Sequence, residues 1–91
     1  FGFLITCKEG TDRTELVKKI ETANIQTRAL FAGNLTRHPC FDQIRGSDAY
    51  RVIGDLSVTD RIMSDTFWIG VYPGMTEAMI DKMISVIKNS L

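Results

Sequence analysis

Between Asn34 and Asp42 the chain gathers many of the side chains that could do chemistry: Asn34, Thr36, Arg37, His38, Cys40 and Asp42. His38, Cys40 and Asp42 are all metal-ligand types. Zinc sites, however, need about four converging ligands, with recurring cysteine or histidine spacing. That recurrence is missing, so the expectation is a turn fixed by Pro39 with Phe41 packed beneath it, and no metal is assigned. His38 and Cys40 could also pair as base and nucleophile, yet they stand two apart in a loop with no third group to orient the imidazole. No catalytic residue is assigned. Lys18, Lys19, Lys82 and Lys88 fall off the apolar stripes of their helices, whereas a lysine that forms a Schiff base is usually desolvated. They read as solubilising charges, and no cofactor-binding residue is assigned.

The loop is better suited to recognition. Gly33 permits close backbone approach, and Asn34, Thr36, Arg37 and His38 add an amide, a hydroxyl, a guanidinium and an imidazole. Arginine binds phosphate through two parallel hydrogen bonds, so this set suits a polyhydroxylated or phosphorylated ligand. The same residues also suit a polar loop that meets only water. Arg28 interrupts a mostly apolar approach to Phe31 and either reaches solvent or projects into an interface. Trp68 and Tyr72 read as core or domain-interface packing.

The elements around this loop follow from periodicity. Phe1, Phe3, Ile5 and Cys7 alternate with Gly2, Leu4 and Thr6, which predicts a strand. Gly10 and Thr11 break it, and Asp12 with Glu15 predicts a capping box. Leu16, Val17, Ile20 and Ala23 then form one face of a helix closed by Asn24 and Ile25. A second strand is expected over Gln26 to Phe31. Gly33 to Leu56 is poor in periodicity and rich in turn formers, and long connections of this kind usually bind something or cover a neighbour. Ser57 and Asp60 resemble a second capping pair for a short helix, with Val58, Ile62 and Met63 on its apolar side, ending near Asp65. A third strand is expected over Phe67 to Tyr72, then a turn at Pro73 and Gly74. Thr76 caps a last helix whose expected buried stripe is Ile80, Met83, Ile84 and Ile87. The predicted class is α+β, a two-layer sandwich with a small, mainly antiparallel, three-stranded sheet under helices. A ferredoxin-like alternative would use Tyr50 to Ile53 as a fourth strand in a free-standing ligand-binding regulatory module.

Ninety-one residues make one domain, and a hydrophobic content of 44% with 24% charged residues is that of ordinary globular proteins. Eleven basic and eleven acidic residues cancel, so no net field draws in nucleic acid or an anionic membrane. The longest apolar runs fall far short of the ~20 residues that span a bilayer. Two cysteines make no disulfide framework, and a cytoplasmic location is the expectation. The chain opens on Phe1, inside an alternating apolar run and without a leader, which suggests a domain cut from a longer protein.

One stretch carries more specific information. The run from Ile25 through Thr27-Arg28-Ala29-Leu30-Phe31-Ala32-Gly33-Asn34 to Thr36-Arg37-His38-Pro39-Cys40-Phe41 resembles the sugar 3-dehydratases of the DegT/DnrJ/StrS aminotransferase family. Asp60-Arg61-Ile62-Met63 and Phe67 to Thr76 carry the same resemblance, which is strongest to the branch acting on CDP-4-keto-6-deoxyglucose in lipopolysaccharide synthesis. It implies that residues 1–91 are the small C-terminal domain of a fold-type I enzyme whose large domain holds pyridoxamine or pyridoxal phosphate. It also implies a sugar-nucleotide substrate, and a homodimer whose sites lie near the subunit boundary. In the CDP-sugar branch it further implies an iron–sulfur cluster and a reductase partner. A cluster ordinarily takes four cysteine ligands, which Cys7 and Cys40 cannot supply. The residues that would line the substrate are Asn34, Arg37 and His38, with Arg28 behind them. Whether the parent is a dehydratase or an aminotransferase turns on a residue outside this chain.

Overall fold

In the computed structural model, which describes residues 1–91, the elements run β1 (Gly2–Thr6), α1 (Arg13–Thr22), β2 (Thr27–Ala29), α2 (Ser57–Asp65), β3 (Thr66–Gly70) and α3 (Glu77–Ser90). The strands form one antiparallel sheet in the order β1-β3-β2. The last strand therefore lies between the first two, which run parallel to each other, and the first half of the chain is a split β-α-β unit. Register is fixed by Leu4 opposite Trp68 and Trp68 opposite Arg28, with Phe3, Ile69 and Thr27 aligned one position away. Because side chains alternate across a pleated strand, Leu4, Trp68 and Arg28 share one face. Phe3, Ile5, Phe67 and Ile69 share the other. The Thr6 and Thr66 hydroxyls hydrogen-bond across the pair at 3.0 Å.

The second face carries the core. Cys7, Leu16, Ile20, Ile25, Phe67 and Ile69 are buried together, with Val17, Met83, Val86 and Ile87 packed against them. Helix α1 starts at the predicted N-cap, Asp12, which accepts from the amides of Thr14 and Glu15, with only this half of the expected capping box made. It ends in a Schellman motif, in which the Asn24 amide donates to Glu21 O at 2.9 Å and the Ile25 amide to Ile20 O at 3.3 Å. Asn24 takes the left-handed backbone, φ 61°, that this motif requires. Arg13 donates to the carbonyls of Ser64 at 2.9 Å and Met63 at 3.2 Å, tying the start of α1 to the open carbonyl end of α2.

Four expectations change. Tyr50 to Ile53 forms no strand, so the sheet stays at three strands and the ferredoxin-like alternative lacks its fourth. The long connection is less irregular than its composition suggests. Short 3₁₀ turns occupy Leu35–Arg37 and Pro39–Phe41, and Phe41 meets Tyr50 edge-on at 5.0 Å. The expected stripe of α3 divides: Met83 and Ile87 reach the core, whereas Ile80 and Ile84 stay exposed. Three short strands offer too little surface to cover both helices, so Ile80 and Ile84 line an apolar groove with Phe3, Ile5, Val71 and Met75. The fourth change concerns Ser57 and Asp60. Leu56, at φ 56°, is the N-cap of α2 with no side-chain cap bond, and the Ser57 amide instead bonds Asp55 Oδ1 at 2.9 Å.

Few residues are buried, and the molecule is drawn out to 53 × 29 × 21 Å. Its radius of gyration is 16.5 Å, against about 12 Å for a compact domain of this length. No helix is long and apolar enough to cross a membrane.

Candidate functional site

Helix α2 is the platform of the candidate site. Its successive inward positions Asp60 and Met63, three residues apart, lie on one face of the helix, and both meet the loop that leaves β2. Gly33 has φ +63°, and a Cβ there would overlap the Met63 side chain and stand 3.1 Å from its Cα. Glycine is thus required twice at this position, once for the left-handed backbone and once for the close approach of loop to helix.

Asp60 gathers the next residues of the loop. Its Oδ1 accepts from Asn34 Nδ2 at 2.7 Å and from Arg37 Nε at 2.6 Å, and its Oδ2 accepts from Arg37 Nη2 at 2.5 Å. These donors, Arg37 first and Asn34 second, hold the Asp60 carboxyl down at about 2 from an ordinary value of 3.8. The same contact raises the Arg37 pKa, through the hydrogen bond first and charge second. Asn34 is 3% exposed, and its Oδ1 accepts from the Thr36 amide at 3.1 Å and the Thr36 hydroxyl at 2.7 Å. Both ends of its amide are therefore engaged within the chain.

His38 follows between the two 3₁₀ turns. Its Nε2 stands 2.5 Å from the Ala32 carbonyl. A carbonyl only accepts, so this contact places a proton on Nε2 and leaves Nδ1 as the ring nitrogen open to a ligand. Farther along, Arg45 donates to the Thr36 carbonyl and pairs with Asp42, which closes the loop on itself.

Arg28 stands apart from this network. It lies on β2, opposite Trp68, on the sheet face that no helix covers. It is exposed and has no ion pair or hydrogen bond within the chain. Around it the face is aromatic: the Trp68 ring meets Phe1 at 5.1 Å and Phe31 at 5.4 Å, both edge-on. Phe31 is 78% exposed and holds a left-handed backbone, φ 52°, which bulky residues rarely adopt. The Trp68 Nε1 is buried and finds no acceptor.

The structure thus brings Asn34 and Arg37 together through Asp60, sets His38 beside them, and leaves Arg28 separate on the open sheet. From sequence alone Asp60 reads as a helix cap and Met63 as a packing residue only. The available signal is spacing: an aspartate three residues before a packing methionine lies on the inward face of a short helix, where a basic loop is the natural counterpart.

Metal and cofactor chemistry find no set of side chains here. No three His, Cys, Asp or Glu side chains converge. Cys7 is buried and Cys40 exposed. Lys18 is exposed beside Glu15, and Lys19 donates to the Ser90 carbonyl. All five lysines, Lys8, Lys18, Lys19, Lys82 and Lys88, are exposed, so none is a desolvated amine of the kind that forms a Schiff base with pyridoxal phosphate.

Comparison with known proteins agrees with the run that leads into the loop. The DegT/DnrJ/EryC1/StrS aminotransferase family matches residues 1–88. The lipopolysaccharide biosynthesis protein RfbH of Salmonella typhimurium is 54% identical over 87 residues, which is 93% of this chain and 19% of that protein. A dTDP-4-dehydro-2,6-dideoxy-D-glucose 3-dehydratase of Saccharopolyspora spinosa is 47% identical over 89 residues, which is 96% of this chain and 18% of that enzyme. The chain spans about one fifth of the length of either relative. The three-stranded α+β domain built around Asn34, Arg37 and Asp60 belongs to the DegT/DnrJ/EryC1/StrS aminotransferase family.

Proposed function

We propose that this chain is the small C-terminal domain of a sugar-nucleotide 3-dehydratase dependent on pyridoxamine or pyridoxal phosphate, acting in dideoxysugar and lipopolysaccharide O-antigen synthesis, and that it has no activity alone. The observation that carries this reading is its surface. The domain exposes 6975 Å², whereas a compact monomer of its mass exposes roughly 5300 Å². The excess is comparable to what an extensive protein interface buries. Much of it is apolar, on the open sheet face at Phe1, Leu4 and Phe31 and in the groove at Phe3, Ile80 and Ile84.

On this reading the large domain of the same polypeptide, and a homodimer partner, cover those faces. The large domain holds the cofactor and, in the CDP-sugar branch, the iron–sulfur cluster served by a reductase. The present domain contributes the loop from Gly33 to Phe41, with Arg28 at its root, as a wall of the sugar-nucleotide site. The name of the Saccharopolyspora relative favours dehydration over amino transfer.

The test compares the full-length protein with the isolated chain, each supplied with pyridoxamine phosphate, a reducing system and CDP-4-keto-6-deoxyglucose. Loss of the sugar's 3-hydroxyl with the full-length protein, and none with the isolated chain, is expected. Turnover by the isolated chain would overturn the claim that it is inert. Transfer of an amino group from an amino-acid donor by the full-length protein would make the parent a sugar aminotransferase instead.

A further inference from the structure

The contacts of the loop divide its polar residues into two groups. Asn34 is buried with both ends of its amide engaged, and the Arg37 guanidinium gives Nε and Nη2 to a single carboxylate. An arginine matched in this way has its charge balanced and its Nε/Nη2 donor face occupied, so the donors left on its outer edge meet a phosphate without a net charge behind them. Arg28 is exposed, has no counter-charge and lies on the uncovered sheet face beside Trp68. His38 is fixed through Nε2 with its Nδ1 open.

We propose that Asp60 is a positioning residue: it latches Asn34 and Arg37 to helix α2 and so holds the loop in shape, while Arg28 is the guanidinium that meets the diphosphate of the sugar nucleotide. The inference rests on the reading of this loop as a substrate wall. Three donors from two loop residues converge on one acid that sits on a regular helix, and Gly33 packed on Met63 fixes the same loop a second time. With the latch closed, the loop meets the ligand already ordered, so the cost of ordering it is not charged against binding.

The test uses the full-length protein and steady-state kinetics with its sugar nucleotide, together with inhibition by CDP, which reports the diphosphate contact without the sugar. Asp60→Ala should raise KM about tenfold with kcat within about twofold, the pattern of lost binding rather than lost chemistry. Arg37→Ala should match it, and the double variant should be no worse than either single one, because both break one latch. Arg28→Ala should weaken CDP inhibition at least about tenfold, the loss expected for one charge-assisted pair; Arg37→Lys should leave CDP inhibition within a few-fold of the parent. If Asp60→Ala lowers the thermal transition below the assay temperature, Asp60→Asn, which keeps one acceptor oxygen, carries the test and should give a smaller KM rise. An unchanged KM in the folded Asp60 variants while Arg28→Ala raises it overturns the latch but leaves the substrate wall standing. The proposal is also overturned if Arg37→Lys costs CDP affinity as much as Arg28→Ala does. If neither Arg28→Ala, His38→Ala nor Asp60→Ala moves KM, the substrate wall itself is wrong.

Discussion

Arg37 and Asp60, 23 residues apart in sequence, face each other in a two-point pair, with Nε on Oδ1 at 2.6 Å and Nη2 on Oδ2 at 2.5 Å. The pair joins the middle of a long loop to a short helix that the sheet and Arg13 already hold in place. It turns a connection that composition alone would leave loose into one with defined geometry. Surface ion pairs usually contribute little to stability. The significance of this one therefore lies in the shape it gives the loop.

The pair sets the acid response of the loop. Because the Asp60 carboxyl is held at about 2, below its ordinary 3.8, its contribution is fully present above about pH 4 and is lost as pH falls towards 2. In a carboxyl-detected NMR titration, Asp60 should titrate near 2 in the parent chain and move back towards 3.8 in Arg37→Ala. A midpoint near 3.8 in the parent would show that the pair does not form in solution.

Gly33 should be intolerant of a side chain for two separable reasons. An alanine in the left-handed region costs about 1 kcal/mol, and here it would also collide with Met63. Gly46 has a similar backbone, φ +79°, and a Cβ added there would meet nothing within 4 Å. By differential scanning calorimetry, Gly46→Ala should lower the thermal midpoint by about 4–8 °C, and Gly33→Ala should lower it clearly further. Equal losses would mean that the close packing of the loop on α2 is absent.

The two thiols should differ in reactivity. Burial, and secondarily the Asp65 charge, pushes the Cys7 thiol pKa up, and Cys7 is 5% exposed, whereas Cys40 is exposed on its 3₁₀ turn. Reaction depends on the accessible thiolate. A chromogenic disulfide reagent at about pH 8, near the ordinary thiol pKa, should therefore titrate one thiol rapidly in the native chain and two in denaturant. Rapid reaction of both in the native chain would contradict the burial of Cys7 in the core with Leu16 and Ile20.

The elements with a strong local pattern are readable from the residues. Phe67 and Ile69 alternate as a strand should, and Asp12, Asn24 and Thr76 close their helices through bonds made within a few residues. The role of Asp60 is not readable in this way, because its partners, Asn34 and Arg37, lie across a loop whose path has no periodicity. Its resemblance to a cap partner for Ser57 is a purely local signal. Ile80 and Ile84 read as buried because helical periodicity marks an apolar face without saying whether this chain or another covers it. Arg28, Asn34, Arg37 and His38 can be picked out from the sequence as candidates by residue type and position alone. Their division into engaged and open groups cannot, since that depends on which acid each guanidinium meets.

Under the proposed function, the loop from Gly33 to Phe41 walls a sugar-nucleotide site completed by the rest of the protein. Amide hydrogen exchange on the full-length protein, with and without saturating sugar nucleotide, tests it most directly. Exchange across residues 33–41 should slow on ligand addition, with no change in the isolated 91-residue chain under the same conditions. Saturation of the full-length protein with unaltered exchange across residues 28–41 would contradict it.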